Sequence, residues 1–312
     1  MADTRGRFPD TLEEGLREYV VDVFEHYPLE IDRVFTIFNS SKAWEEFKDS
    51  WSFGLLEETP EGSNAPADLY QDGYYTRISY KTYSKKHIIT WAEYHDDLYG
   101  IFKDRSPKMT RQATDTVNSQ AFSVFRNAFS TSYLSYGDDK PLCSTNHTRP
   151  DGGTAQSNAS STGITLTEAN LETADLAVRE VKDGRGNLLN FMGEKGLLLV
   201  PPALKKEALI ITQSTLRSGT ANNDLNYYLG NWDVLVSAWI SEAAGGSDTA
   251  WFVILPNICG LVFIWREKPY TYVEMDKDNR NLEIFIWASF GYGWRWWYGI
   301  WGSKGDGAAY SD

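Results

Sequence analysis

The segment from Ser52 to Glu93 sets the tightest limit on the fold, because it alternates like two long strands around a stretch that has almost nothing to pack. Tyr75 and Arg77 fall on one side of the alternation and Ile78 on the other, which is the period of a β-strand. Residues 58–66 between the arms are rich in turn residues. The pattern predicts an extended β-hairpin with a polar tip. Because a lone hairpin is marginal in water, we expect it to lie on another surface.

The preceding residues 12–49 are predicted to form short helical stretches broken near Tyr27-Pro28. Two short apolar stripes support this interpretation: Leu16, Val20, Val23 and Phe24, then Val34, Phe35 and Phe38. Stripes this short do not stabilise isolated helices. The segment should therefore be an arm that buries its apolar face against its own domain or against another subunit.

A long helix is predicted from Ser106-Pro107, with serine as N-cap and proline at the first helical position. Its apolar residues recur at helical spacing from Met109 to Ala128, which indicates a helix over 107–133. A second helix should begin at the capping pair Thr165 and Glu168 and close at Asp183-Gly184.

The remaining segments alternate between predicted strands and one helix. Residues 196–200 read as a buried strand, 203–216 as a helix, and 232–240, 251–255 and 261–265 as strands. The apolar stretch from Leu282 to Trp301 is long enough to span a membrane. Three glycines, Glu283 and Arg295 interrupt it, and it alternates like a sheet, so strands are predicted and no membrane partner is expected.

Composition excludes some classes of protein and leaves others open. The 312 residues suit two modest domains or one extended one. The formal net charge of −13, with no basic block, argues against a dedicated nucleic-acid binder and allows weak, unspecific DNA contact at most. The first residues lack a signal-peptide pattern, so a cytosolic protein with reduced Cys143 and Cys259 is expected. The 12 Trp, 18 Tyr and 15 Phe fit either interface anchors or an aromatic core.

Candidate catalytic and metal sites are weak. Ser144 and His147 share a loop with Asp151, but no nucleophile-elbow motif accompanies them. Cys143 and His147 lack a second pair at metal-ligand spacing, and His26, His87 and His95 have no partner motif. The sequence therefore predicts no catalytic residues, no metal and no cofactor.

The order of elements and three local stretches resemble a known family. The stretches are Gly137 to His147, the helix from Thr165 to Val181, and Leu197-Leu198-Leu199-Val200-Pro201-Pro202. The chain resembles the major capsid proteins of tailed bacteriophages with the Hong Kong 97-type fold, and it is most similar to the head subunits of Mu-like phages. Within this resemblance, Pro141, Leu142 and His147 form the family-like loop.

The resemblance implies an α+β subunit with a defined layout. The expected parts are an N-terminal arm (1–50), an extended β-hairpin loop (51–95), a peripheral domain (96–202) with a spine helix (107–133), an axial domain (203–270) and strands returning to the peripheral domain (271–312). The arm and loop would contact neighbouring subunits. The residues expected there are Leu55, Glu57, Glu58, Glu61, Tyr70, Tyr74, Tyr75 and Arg77.

The partners implied are other copies of the chain in pentamers and hexamers, a separate scaffolding protein, a portal, decoration proteins and loosely held DNA. Assembly is expected in the host bacterial cytoplasm, giving a virion shell. Residues 57–72 contain no lysine, so the covalent loop crosslink of some relatives is not expected. Two alternatives stay open: an encapsulin compartment of the same fold, and a sugar-binding or tail-associated protein that uses the Trp294 to Tyr298 cluster as a stacking platform.

Overall fold

The computed structural model describes residues 29–50, 55–56, 58–65, 67–68, 72–96, 101–134, 137–216 and 225–310. Its strands are β1 (Thr36–Asn39), β2 (Trp44–Ser50), β3 (Asp72–Ser79), β4 (Lys81–Ile89), β5 (Gly196–Val200), β6 (Trp232–Val236), β7 (Trp251–Ile254), β8 (Leu261–Met275), β9 (Leu282–Trp294) and β10 (Ile300–Ser303). Its α-helices are α1 (Trp91–His95), α2 (Ile101–Ala121), α3 (Ser123–Arg126), α4 (Glu168–Arg179) and α5 (Lys205–Gln213).

The first sheet has the strand order β1-β8-β9-β4 and carries the longest helix, α2, against it. The β8–β9 pair is a long antiparallel hairpin, and β4 follows the edge of β9 from Lys81 opposite Phe290 to Ile89 opposite Leu282. Helix α2 is fastened to this sheet through Gln120. Its side-chain oxygen accepts hydrogen bonds from the hydroxyls of Tyr83 (3.3 Å) and Tyr292 (3.1 Å).

The second sheet has the order β10-β7-β5-β6, with β5 parallel to β6 and antiparallel to β7. Every residue of β5 is buried, as expected of a central strand covered on both faces. Leu197 and Leu199 join the core that contains Phe125 and Phe252, whereas Leu198 and Val200 join the core beneath α4 and α5. This sheet therefore separates two hydrophobic cores.

Strands β2 and β3 form a separate two-stranded antiparallel pair. Trp44 is opposite Ser79 and Phe47 is opposite Thr76. The predicted alternation is confirmed in β3, where Thr76 and Ile78 are buried and Tyr75 and Arg77 are exposed. The predicted arms were misplaced, however. The first arm lies at 44–50 instead of beyond Ser52, and β4 pairs with β9 instead of belonging to the hairpin.

The helical interpretation of residues 34–49 is wrong. A short 3₁₀ turn at Glu30–Arg33 is followed by β1, which pairs in parallel with β8. Val34 and Phe35 are buried, but they follow the turn instead of forming a helical stripe with Phe38. The predicted helical stretch of residues 12–28 lies outside the described residues.

The structure confirms the predicted long helix but not its predicted ends. It begins at Ile101 and continues through the predicted start at Ser106-Pro107, so that pair is not the cap. It stops at Ala121, and α3 ends at Arg126, short of residue 133. The cap of α4 is Thr167 instead of Thr165. The Thr167 hydroxyl accepts from the Asn170 amide at 3.2 Å, and the helix ends at Arg179, before Asp183.

The strand predictions for residues 196–265 hold in outline. Strands β5, β6, β7 and β8 occupy the predicted segments, although residues 238–240 form a 3₁₀ turn. The stretch from Leu282 is strand β9, as predicted. Among the described residues, no helix is long and apolar enough to cross a membrane. The second sheet pairs β10 with β7, β7 with β5, and β5 with β6. It therefore combines a strand of the predicted peripheral domain (β5), two strands of the predicted axial domain (β6 and β7) and one of the predicted C-terminal strands (β10).

Candidate assembly surfaces

The outer face of the β2–β3 hairpin is a ladder of exposed aromatic and charged side chains. Arg77 lies over the Trp44 ring at 5.0 Å and pairs with Glu46 at 3.6 Å. Lys48 lies over the Tyr75 ring at 5.4 Å and pairs with Asp72 at 2.5 Å. Trp44 is 48% and Tyr75 is 53% exposed, which makes them large apolar groups with little cover in the isolated subunit. Aromatic and arginine side chains are enriched in the centres of protein interfaces.

The inner face of the hairpin attaches it to the first sheet. Ile78 packs with Val262 and Ile264 of β8, and Phe38 and Phe47 lie against that small core. The Thr76 hydroxyl donates a hydrogen bond to the Arg295 carbonyl at 3.3 Å. The base of the hairpin is therefore held by both apolar packing and hydrogen bonding.

Arg295 is stacked among three aromatic rings at this base. Its guanidinium carbon lies 4.3 Å from the centroid of Trp296, 5.4 Å from that of Phe47 and 5.5 Å from that of Phe38. Burial lowers the pKa of the guanidinium below its ordinary value. The guanidinium keeps its charge, because arginine is effectively always protonated in proteins. Arg295, which directly follows β9, thus contacts aromatic rings of both β1 and β2.

The hairpin tip carries the most exposed apolar residues described. Leu55 is 85% exposed and Leu56 is fully exposed, and Glu58 and Glu61 are exposed beside them. On the returning limb, Asp68 accepts two hydrogen bonds from Arg185, at 2.6 and 2.8 Å. One side of the tip is therefore bound to its own subunit while the two leucines face solvent.

The predicted contact residues divide into three groups. Leu55, Glu58, Glu61, Tyr75 and Arg77 are exposed, as a contact with a neighbour requires. Tyr74 is different, because it packs against the main core and its hydroxyl lies 3.0 Å from Thr148 Oγ1. Glu57 and Tyr70 lie outside the described residues.

The family-like loop is organised around a buried histidine. His147 Nδ1 lies 2.6 Å from Asp138 Oδ2 and Nε2 lies 3.0 Å from Asn158 Oδ1, and the ring stacks on Trp297 with centroids 4.4 Å apart. Asn158 also donates to the Leu142 carbonyl and accepts from the Ser144 amide. Leu142 and Pro141 are buried beside this network. The loop is thus a hydrogen-bonded structural unit.

The same geometry does not support a hydrolytic triad. Both ring nitrogens of His147 are engaged by Asp138 and Asn158, whereas Ser144 Oγ accepts from the Asn146 amide. Asp151 binds Arg149 instead of His147. A catalytic base must reach the nucleophile, and here it faces other groups. In the part of the chain that the structure describes, no cluster of three potential metal ligands occurs.

The structure does not support the alternative of a tryptophan stacking platform. Trp294, Trp297 and Tyr298 are buried in the main core, and Trp296 is half-buried against Arg295. A sugar-stacking surface needs exposed ring faces, so these residues do not provide one. The aromatic content of the C-terminal strands is mainly core.

A second exposed apolar surface was missed in the sequence. Leu225 and Tyr227 are 83% and 77% exposed, and the exposed Leu229 follows them in the chain. Leu216 is also exposed and forms an isolated antiparallel bridge with Leu225. The polar residues 218–224 that precede it make the region look like a polar loop in the sequence. The signal available was the alternation of Leu225, Tyr227 and Leu229.

Comparison with known proteins agrees with this architecture. A family model described as phage capsid protein matches residues 74–302, more than half of the chain. No curated protein matches the sequence. The mature capsid of bacteriophage PhiM1 is similar, with a TM-score of 0.58 at 10% identity over 89% of this chain and 87% of that chain. The capsid of cyanophage P-SCSP1u has a TM-score of 0.58 at 13% identity over 88% and 87%.

A third similar structure is the virus-like particle from Pyrococcus furiosus, with a TM-score of 0.50 at 10% identity over 94% of this chain and 99% of that chain. At identities this low, the structural similarity establishes a shared fold, here the Hong Kong 97-type capsid fold. The family match adds the role. The chain belongs to the phage capsid protein family, as a major capsid protein and a subunit of the virion shell.

Proposed function

We propose that this capsid protein assembles through its hairpin, its N-terminal arm (1–50) and the exposed surface around Leu225 into pentamers and hexamers of an icosahedral shell around double-stranded DNA. The observation that carries the proposal is the tip of the hairpin. It presents Leu55 and Leu56 to solvent at the end of a projection with too little core to be stable alone. Such a projection gains burial only against another surface.

The sheets favour domain bounds that differ from the predicted ones, which placed α4 and β5 in the peripheral domain (96–202) and most of β8 in the axial domain (203–270). The sheet β1-β8-β9-β4 with α2 would be the peripheral domain, and the sheet β10-β7-β5-β6 with α4 and α5 the axial domain. Leu216, Leu225 and Tyr227 would then meet their copies around a symmetry axis. The hairpin, arm and axial surface together provide three contacts per subunit, which is enough to close a shell.

The shell is proposed to be non-covalent and non-catalytic. Residues 57–72 contain no lysine that could form a covalent bond across subunits, and the buried Asp138–His147–Asn158 network is structural. DNA would be held loosely, because the chain carries a net charge of −13. A scaffolding protein, a portal and decoration proteins in the host cytoplasm are the further partners that this role implies.

The tip contact is tested with the double variant Leu55→Asp/Leu56→Asp. Both leucines are exposed, so the variant should unfold at the same temperature as the wild-type subunit, while assembly followed by light scattering should fall at least tenfold. Ser63→Asp, an equally exposed change in the same tip, is the matched control and should assemble normally. Normal assembly of the leucine variant would refute the role of the tip.

The encapsulin alternative requires the same fold, so the fold alone does not separate it from a phage shell. The family match favours the phage shell. Purified shells from the native source separate the two, because a phage head contains DNA and an encapsulin contains cargo protein.

A further inference from the structure

The extended hairpin contacts its own subunit at two separate places. Near its base, the Tyr74 hydroxyl lies 3.0 Å from Thr148 Oγ1, and Tyr74 packs against the main core. Farther out, on the returning limb, Asp68 binds Arg185 in the loop that follows α4. The base is therefore attached by packing, whereas the limb that leads to the tip is attached by an ion pair.

The Asp68–Arg185 contact has a specific geometry. Nη1 and Nη2 of the guanidinium donate hydrogen bonds to Oδ2 and Oδ1 of the carboxylate, at 2.8 and 2.6 Å. Two parallel bonds between a planar guanidinium and a carboxylate fix the mutual orientation of the two groups as well as their distance. The ion pair therefore sets the direction in which the returning limb runs.

Arg185 is held in place by its own loop. The buried Asp183 carboxylate accepts hydrogen bonds from the backbone amides of Arg185 (2.9 Å) and Asn187 (2.8 Å). Gly186 has a φ of +88° and lies against the guanidinium of Arg149, where a methyl group would come within 2.7 Å of a nitrogen atom. The loop thus presents the Arg185 side chain from a fixed backbone.

The ion pair is also partly open to solvent. The Arg185 side chain is 23% exposed and that of Asp68 is 35% exposed. Ion pairs in such positions contribute little to stability, and dissolved salt screens them. A contact that is specific in geometry but weak in energy can open and close while the rest of the subunit stays folded.

We infer that Asp68 and Arg185 form a reversible latch within the subunit, which holds the hairpin tip in one orientation before assembly and presents Leu55 and Leu56 to solvent. A latched tip loses less conformational freedom when it meets another surface, so the latch speeds assembly. This effect on assembly rests on the proposed function. The latch itself is a property of the single subunit and is measured there.

The distance between two spin labels, measured by electron–electron double resonance, tests the latch in the unassembled subunit. One label is attached at Ser63→Cys in the tip and the other at Glu172→Cys on the exposed surface of α4, in the Leu55→Asp/Leu56→Asp background. The two native cysteines are buried, so they give little background labelling. A closed latch predicts a narrow distance distribution at low salt.

Asp68→Asn should broaden this distribution about twofold or more, and about 1 M salt should broaden that of the parent chain to the same extent. Arg185→Lys should give an intermediate width, because lysine keeps the charge but not the planar fork. Glu61→Gln removes the same charge from the same tip and is the matched control, which should leave the width unchanged. A distribution for Asp68→Asn as narrow as that of the parent would overturn the inference.

The assembly rate of chains with the native Leu55 and Leu56 provides the second readout. Asp68→Asn and Arg185→Met should each slow assembly severalfold at low salt, and the combined variant should be no slower than either one, because all three lack the same contact. Faster assembly of the single variants, or additive slowing in the combined variant, would contradict the latch. Failure of the wild-type chain to assemble would count against the proposed function, whereas the spin-label distances would still decide whether the latch exists.

Discussion

The guanidinium of Arg295 stacks on the ring of Trp296 at 4.3 Å and also faces Phe38 and Phe47, so a single cation connects β9 to both β1 and β2. Phe47 belongs to β2, so this contact lies at the base of the β2–β3 hairpin. The orientation of the β2–β3 hairpin therefore depends on a side chain that lies more than 200 residues later in the sequence.

Arg295→Met should lower the free energy of unfolding by about 2 kcal/mol, the scale of a desolvated cation–π contact. It should also speed proteolysis within residues 44–79. Arg295→Lys should lose part of the stability, because lysine keeps the charge but not the planar stack. Urea unfolding in the Leu55→Asp/Leu56→Asp background measures the subunit alone. Arg111→Met, at an exposed site, is the control, and an equal loss there would contradict the account.

His147→Ala should destabilise the subunit by about 1–3 kcal/mol, because it removes one of the two hydrogen-bond partners of the buried Asp138 carboxyl group, the other being the Lys140 amide. Asn146→Ala changes an exposed neighbour in the same loop and should alter stability by less than about 0.5 kcal/mol. Both are compared by chemical denaturation. Equal stability of the two variants would show that the histidine network does not organise this loop.

Gly137→Ala should destabilise the subunit by about 1–3 kcal/mol, because the new methyl group would lie 2.6 Å from the Tyr75 carbonyl oxygen and force β3 away from the loop. Gly193→Ala is matched to it, since nothing lies within 4 Å of a methyl group there. Thermal unfolding should separate the two variants by several degrees. A normal melting temperature for Gly137→Ala would mean that the hairpin is not held against this loop.

The two cysteines should resist thiol reagents at pH 8 until the subunit unfolds. Burial raises the pKa of the Cys259 thiol to about 11, and it also raises the pKa of the Cys143 thiol. As the pH rises past about 8.5, the unfolded chain loses its thiol protons while the folded subunit keeps them. The contribution of the two buried thiols to the free energy of unfolding is therefore complete below about pH 8.5 and declines as the pH rises toward 11. Colorimetric thiol titration with and without guanidinium measures the protection. Rapid reaction of the native protein would contradict it.

The sequence predicted those strands and helices whose residues follow one regular burial pattern along their whole length. Strand β5 reads as continuous Leu and Val because both faces are covered, and α4 shows Leu171, Ala174 and Val178 at helical spacing on a single buried face. Strand β2 was missed because its inward face holds Glu45, Phe47 and Asp49, only one of which is apolar. Its strand state comes from pairing with β3, which short-range patterns do not encode.

The assembly surfaces were predictable only in part. The exposed positions of Leu55, Tyr75 and Arg77 follow from a hairpin with a polar tip. The groove between α2 and the β4–β9 edge of the first sheet was not predictable, because β9 is distant in sequence from both α2 and β4. The sequence left open whether the tryptophan cluster lies in a core or on a surface, because a run of aromatic residues has the same sequence signature in both.

Electron microscopy of the wild-type protein expressed alone, with light scattering on the same fraction, tests the central claim of self-assembly most directly. The account predicts closed shells, or rings of five and six subunits, that disappear in the Leu55→Asp/Leu56→Asp variant. A monodisperse monomer under all salt and crowding conditions, and in the presence of phage partner proteins, would contradict it.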